Sequence, residues 1–275
     1  MALMNAPVLQ EHYLAPGTVN GAIWRYSPLH PKLFHFHGQH EFLLVRRGWA
    51  LERVGSQLHR VHARQLIWHL PGLAHEMVEA SSDLDLRVVH VEPDIAPVLA
   101  ALGGLVAGRP VVELQRADFD ALLDQCEDTT DSCGGFDDRT RQIVSAAQVA
   151  YRATRTDHDY TRATSFPELA CCLMLDDPSL NRSDLCRTLD VSGGYLSRRF
   201  HAELGTTLQE QRARVRVARF VTHVARGRSS WLDAALAAGF GSYSQFYRTF
   251  TRLVGVGPRE YICEGGRNII ALVPA

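Results

Sequence analysis

The stretch Val191-Ser192-Gly193-Gly194-Tyr195-Leu196-Ser197-Arg198-Arg199-Phe200 returns fifty residues later as Gly241-Ser242-Tyr243-Ser244-Gln245-Phe246-Tyr247-Arg248-Thr249-Phe250. The repeat extends further, with Gly205 and Glu210 recurring as Gly255 and Glu260. In each copy the large apolar residues (Leu196, Phe200, Leu204; Phe246, Phe250, Leu253) are spaced by three or four and so line one helical face. The opposite face carries Gly194, Ser197, Arg198 and His201 in the first copy, and Tyr243, Ser244, Gln245 and Arg248 in the second. A shorter helical stretch and a tight turn precede each copy: Ser183 to Leu189 before the first, Trp231 to Ala238 before the second. The pattern predicts helix, turn and recognition helix twice over, with Ser192 and Ser242 as N-caps. Ala235, four before Gly239, is the small residue that lets two such helices approach, and Cys186 holds the equivalent place in the first copy.

A recognition helix in a major groove offers arginine to guanine and glutamine or serine to other base edges, while its N-terminal amides face phosphate. A plain helical bundle with solvated arginine faces is the competing reading, and a duplicated motif with consistent core and polar faces speaks against it. A linking helix from about 208 to 225 would be about 27 Å long at 1.5 Å per residue. That length suits two major-groove segments one turn of DNA, roughly 34 Å, apart.

Residues from about 164 to 262 resemble the AraC-type DNA-binding domain. The resemblance is carried by Val191-Ser192, Tyr195-Leu196-Ser197-Arg198, Phe200, Gly205, Arg214, Ala218, Ala235, Gly239-Phe240, Phe246, Arg248, Phe250, Gly255, Pro258 and Tyr261. It implies base contacts from Gly194, Ser197 and Arg198 in the first recognition helix and from Tyr243, Ser244, Gln245 and Arg248 in the second. Three positions depart from the family pattern. Gly193 and Gly194 open the first helix at a cost of about 1 kcal/mol each, and Gly194 presents no side chain, so the second helix is expected to carry more specificity. Gly257 replaces a serine or threonine before Pro258, and Thr222 stands where a large aliphatic residue is usual, which predicts looser packing of the linking helix.

At 275 residues the chain has room for two cores. With 46% hydrophobic and 21% charged residues it has an ordinary globular composition. The net charge of −1 hides an asymmetry: 14 Lys+Arg against 20 Asp+Glu in residues 1–159, and 15 against 10 thereafter. No apolar run reaches the length of a bilayer span, and Met1 to Gln10 has neither a basic n-region nor a continuous h-region, so a cytoplasmic protein is expected. The six cysteines (Cys126, Cys133, Cys171, Cys172, Cys186, Cys263) lack CxxC spacing and read as small buried hydrophobes.

Residues 20–92 alternate apolar and polar positions in short runs broken by Gly, Pro and His, which predicts a small antiparallel β-domain. Segments 94–107, 117–128 and 137–156 have helical spacing and read as connecting or dimerising helices, with Asp128 to Gly135 as a hinge. The expected organisation is an α+β multidomain chain: a sensor domain over 1–93, connecting helices over 94–159, and an all-α double helix-turn-helix over 160–275.

In the β-domain, His35-x-His37-x-x-x-Glu41-x6-Gly48, followed by Pro71-Gly72-x-x-His75, resembles the two cupin motifs, which together supply three histidines and one carboxylate to a metal. Residues i and i+2 of a strand point the same way, so His35 and His37 share a face. The resemblance implies a cupin-like barrel with zinc, iron, nickel or manganese held by His35, His37, Glu41 and His75. The glycine that usually precedes the first motif is missing, and Pro71 and Gly72 are adjacent rather than separated. In AraC-type sensor domains such histidines also serve as plain pocket lining. Ten of the thirteen histidines precede residue 91, and several, among His40, His59, His62, His69 and His90, are read as exposed strand-face residues. Trp24, Trp49 and Trp68 read as core, with an apolar ligand cavity as the alternative.

The expected function is that of a non-enzymatic, DNA-binding transcriptional regulator whose cupin-like domain senses a small ligand or metal. The family implies a homodimer, and RNA polymerase as a partner if the protein is an activator. A metal-dependent cupin enzyme, such as a dioxygenase or isomerase, fused to a DNA-binding domain is the alternative, and no second carboxylate for acid or base work can be placed from sequence.

Overall fold

The computed structural model describes residues 9–10, 21–26, 34–91, 110–127, 166–225 and 230–263. The expected hinge at 128–135 and the helices expected at 94–107 and 137–156 lie outside them, as does Cys133. The β-domain has β1 (Leu9–Gln10), β2 (Gly21–Tyr26), β3 (His35–Phe36), β4 (His40–Arg47), β5 (Trp49–Val54), β6 (Gln57–His62), β7 (Gln65–His69), β8 (His75–Ala80), β9 (Asp85–Val91) and β10 (Val111–Glu113). They form two five-stranded sheets, ordered β1-β3-β8-β5-β6 and β10-β7-β4-β9-β2. Strand β5 shows the alternating burial its sequence predicts, while β9 is buried along its whole length, Asp85, Arg87 and His90 included.

One boundary differs from expectation. Strand β10 falls inside the segment read as connecting helices, yet pairs antiparallel with β7, Val111 opposite Ile67. The sheet therefore continues past residue 93, because a three-residue strand is too short to show a period of two in sequence. The helix expected at 117–128 is α1 (Arg116–Glu127), which buries Phe119, Leu122, Leu123 and Cys126 against the domain.

Everything described after residue 165 is helical: α2 (Phe166–Asp176), α3 (Arg182–Leu189), α4 (Gly193–Leu204), α5 (Leu208–Ala225), α6 (Trp231–Ala237), α7 (Tyr243–Val254) and α8 (Pro258–Cys263). Asn181 caps α3 in a reciprocal capping box with Asp184. Gly205 and Gly255 end α4 and α7 in the left-handed region, φ 65° and 87°, where a side chain would be strained. The first helix-turn-helix (α3, α4) shares one hydrophobic cluster with the β-domain, through Cys171, Cys172, Leu185, Leu196, Phe200 and Leu204. The second (α6, α7) has its own, built on Val217, Phe220, Phe240, Phe246, Phe250 and Tyr261. Among the described residues no helix is long and apolar enough to cross a membrane.

Candidate nucleic-acid interface and histidine cluster

The two recognition helices begin as the repeat predicts. Ser192 Oγ accepts the Tyr195 amide at 3.2 Å, and Ser242 Oγ accepts the Gln245 amide at 3.2 Å. Leu196, Phe200, Phe246 and Phe250 are fully buried, and in α7 the third core position is Val254 rather than Leu253, preserving the four-residue step of the first copy. Of the seven predicted base-contacting residues, Gly194, Arg198, Ser244, Gln245 and Arg248 are exposed, and Ser197 and Tyr243 are half-buried. Tyr243 packs its ring 5.4 Å from Phe246, so it belongs partly to the core. The Gln245 side chain accepts the Gly241 amide at 2.9 Å and thereby closes the turn. Gly193 has a local reason: a Cβ there would lie 2.5 Å from the Arg182 guanidinium, which crosses the start of α4.

The basic excess of this half is only partly available to a nucleic acid. On α5, Arg212 donates to the Leu180 carbonyl at 3.2 Å, Arg216 to Pro178 at 2.7 Å and Arg219 to Leu175 at 2.8 Å. Arg214 is buried, and its guanidinium carbon lies 5.8 Å from the centroid of the Phe36 ring. Arg212, Arg216 and Arg219 tie the linking helix to the end of α2 and the turn after it, which charge counting cannot reveal.

Inside the β-domain, His35, His37, Glu41 and His75 come together as the motif spacing predicts, and all four are buried. His35 and His75 are register partners on β3 and β8, with ring centroids 4.4 Å apart. His37 donates from Nδ1 to the Gln39 carbonyl at 3.1 Å, and His75 from Nδ1 to the Leu73 carbonyl at 2.8 Å. Each ring thus turns Nε2 towards Glu41, at 3.6 and 3.3 Å. Backbone carbonyls that fix the tautomer in this way are the usual support of metal-binding histidines.

Two further histidines join the cluster that the motif spacing does not contain. Glu41 on β4 faces His69 on β7 and His90 on β9 across the sheet, as register partner of both. His69 Nδ1 lies 2.8 Å from Glu41 Oε1, and His90 Nε2 lies 2.5 Å from Oε2. Both histidines are fully buried, contrary to a surface reading of their strands, as is His40; His62 is exposed and His59 half-buried. His40 accepts from Trp68 Nε1 at 3.2 Å, and burial, aided by His37, lowers its pKa to about 3. Burial, with His75 next, lowers His69 to about 3. Burial also opposes charge on His75, but the hydrogen bond and charge of Glu41, the Leu73 carbonyl and Glu52 outweigh it and raise its pKa. Trp68 is core, and Trp49 is half-buried with the Arg60 guanidinium 4.0 Å over its ring.

Residues 20–142 match the family described as AraC-like ligand binding domain, and residues 185–262 match a helix-turn-helix domain. The chain belongs to the AraC family of transcriptional regulators. It is 29% identical over 85 residues to the melibiose operon regulatory protein of Escherichia coli K12, a match that covers 31% of this chain and 28% of that protein. Among solved structures it is similar to ToxT from Vibrio cholerae O395, with 15% identity over 92% of this chain and 98% of that one, at a TM-score of 0.49. It is also similar to the AraC-like transcriptional activator CuxR, with 16% identity over 74% and 73% of the two chains and a TM-score of 0.37.

In this AraC-type chain the loops that carry the histidines rest directly on the linking helix α5. A Cβ at Gly38, next to His37, would lie 3.2 Å from Thr222 Oγ1 and 3.3 Å from Ala218. Thr222 is buried and its small side chain admits the loop, and it also lines a cavity of about 500 Å³ with Gly38, Gly72, Val215 and Ala218, so the looser packing expected there is present. Gly72, at φ 73°, would place a Cβ 2.9 Å from Val215 Cγ2, and Phe36 packs on Ala218. At a second contact the β5–β6 turn meets the end of α4, where Ser56 Oγ donates to the Glu203 carbonyl at 2.8 Å. Gly72→Ala is expected to cost roughly 1–2 kcal/mol through the left-handed backbone alone, and to separate the loop from α5. Thermal unfolding checks it; an unchanged Tm would contradict the close contact.

Proposed function

We propose that this regulator binds specific DNA through α4 and α7, and that its β-domain senses a divalent transition metal at the histidine cluster, with metal occupancy setting the position of α5. The observation that carries the reading is the seating of Gly38 and Gly72, each a few residues at most from His37 and His75, on the helix that joins the two helix-turn-helix units. A ligand shifts an equilibrium only by its differential affinity for two states. Drawing His37 and His75 onto an ion moves the two loops that touch α5, so occupied and empty barrels prefer different settings of that helix.

The donor set fits a metal. Three imidazoles, two of them with the far nitrogen on a carbonyl, together with one carboxylate, suit zinc, iron, nickel or manganese. His35, His37, His75 and Glu41 would hold it, and the ion would take the place of protons among the imidazoles around Glu41. A small organic ligand completing the ion's coordination is compatible with the same site. Partners implied by this reading are double-stranded DNA, a second copy of the chain, and RNA polymerase where the regulator activates. A metal-dependent enzyme is not favoured, since the two matched families are a ligand-binding domain and a helix-turn-helix domain.

The test uses the full chain. Selection from a randomised duplex library should enrich one motif, and affinity for it should differ between chelator-stripped protein and protein reloaded with zinc, iron(II), nickel or manganese. No enriched motif would remove the DNA reading. An enriched motif bound equally well with and without every metal would remove the metal sensor and leave the DNA reading standing.

A further inference from the structure

We propose that the histidine cluster holds two metal ions bridged by Glu41, and not one. The inference rests on the metal-binding reading above and deepens it. Three groups of ligand atoms lie within 4.8 Å of one another: His35, His37 and His75; His37, Glu41 and His90; Glu41, His69 and His75. The last two share Glu41 alone, and they use its two different oxygens. On one side Oε1 lies 2.8 Å from His69 Nδ1 and 3.3 Å from His75 Nε2. On the other side Oε2 lies 2.5 Å from His90 Nε2 and 3.6 Å from His37 Nε2.

These separations bracket the edge of a small coordination polyhedron. With metal–nitrogen bonds of about 2.0–2.1 Å, two tetrahedral ligands sit roughly 3.3 Å apart. A carboxylate that gives one oxygen to each of two ions is the usual bridge of two-metal sites, whose ions are about 3.5–4 Å apart. His35 stands between the two halves, its ring 4.4 Å from His75 and 5.8 Å from His37. Glu52 is buried on β5 with Oε2 4.0 Å from His69 Nε2, the ring nitrogen opposite the one beside Glu41.

Donor number favours the pair. Five buried imidazoles and two buried glutamates are more donors than one tetrahedral ion can use. A single-ion site with His69 and His90 serving only to orient Glu41 is the competing arrangement. It predicts a different stoichiometry.

Full-length protein stripped with chelator and dialysed against manganese(II) or zinc should take up two ions per chain, measured by elemental analysis. The manganese form should show the electron paramagnetic resonance signature of an exchange-coupled pair, a readout that needs no variant. His69→Gln and His90→Gln should each reduce uptake to one ion and abolish the coupling. One ion per chain with an uncoupled manganese spectrum would overturn the bridged pair while leaving metal binding intact. No ion at all would overturn the metal reading itself. Two ions retained in both variants would overturn the assignment of His69 and His90.

Discussion

Phe246→Ala is expected to destabilise the second helix-turn-helix by about 3–5 kcal/mol, the range for deleting a buried aromatic ring. Phe246 is wholly buried, with its ring centroid 4.0 Å from Phe220, 5.4 Å from Phe240 and 5.6 Å from Phe250. Removing it takes the centre out of the aromatic stack that joins α5, the turn before α7, and α7 itself. Because this cluster is separate from the one shared by the β-domain and the first unit, the loss should be local. Hydrogen exchange should show protection lost in α6 to α8 and kept in the β-strands. The matched residue of the repeat, Leu196, lies in the shared cluster, so Leu196→Ala, at about 2–5 kcal/mol, should loosen the β-domain as well. Uniform loss of protection in Phe246→Ala, or a stability within 1 kcal/mol of the parent, would contradict the division into two clusters.

The repeat was legible because helix faces recur every three to four residues and caps sit at their ends. Ser192, Ser242 and the linking helix stand where the pattern predicts them. The cupin spacing likewise identified His35, His37, Glu41 and His75, since three of them lie on one short segment. What sequence did not show was everything decided by pairing between distant strands. His69 and His90 read as strand-face residues until register sets both opposite Glu41. Their only local signal was a lone histidine inside an apolar run, in Leu66-Ile67-Trp68-His69 and Val88-Val89-His90-Val91. Similarly, Thr222 departed from the family pattern for a reason that lies in the other domain, at Gly38. The basic excess of this half includes Arg212, Arg216 and Arg219 of α5, which serve as donors to carbonyls.

That redistribution sharpens what the recognition helices should do. Arg248→Ala is expected to weaken binding to the selected DNA motif by about 1–3 kcal/mol and to relax preference at one guanine, as loss of a bidentate contact would. Arg248 is exposed on α7 beside Ser244, and the polar face there is full, although Gln245 spends its oxygen on Gly241 and Tyr243 leans into the core. Arg198 stands one turn from Gly194, where no side chain competes or cooperates; a Cβ at Gly194 would lie 3.5 Å from the Arg198 guanidinium. The first helix is therefore expected to read bases mainly through one residue, and Arg198→Ala should give a similar or milder loss of preference. If either arginine only holds phosphate, its removal weakens every sequence about equally and lowers the salt dependence of binding by about one ion. Because Arg212, Arg214, Arg216 and Arg219 are committed within the protein, the salt dependence of the parent should itself be modest for so basic a domain. Randomised-site binding of both variants at two salt concentrations separates these cases. Unchanged base preferences in Arg248→Ala, or a larger loss of preference in Arg198→Ala, would reverse the order of the two helices.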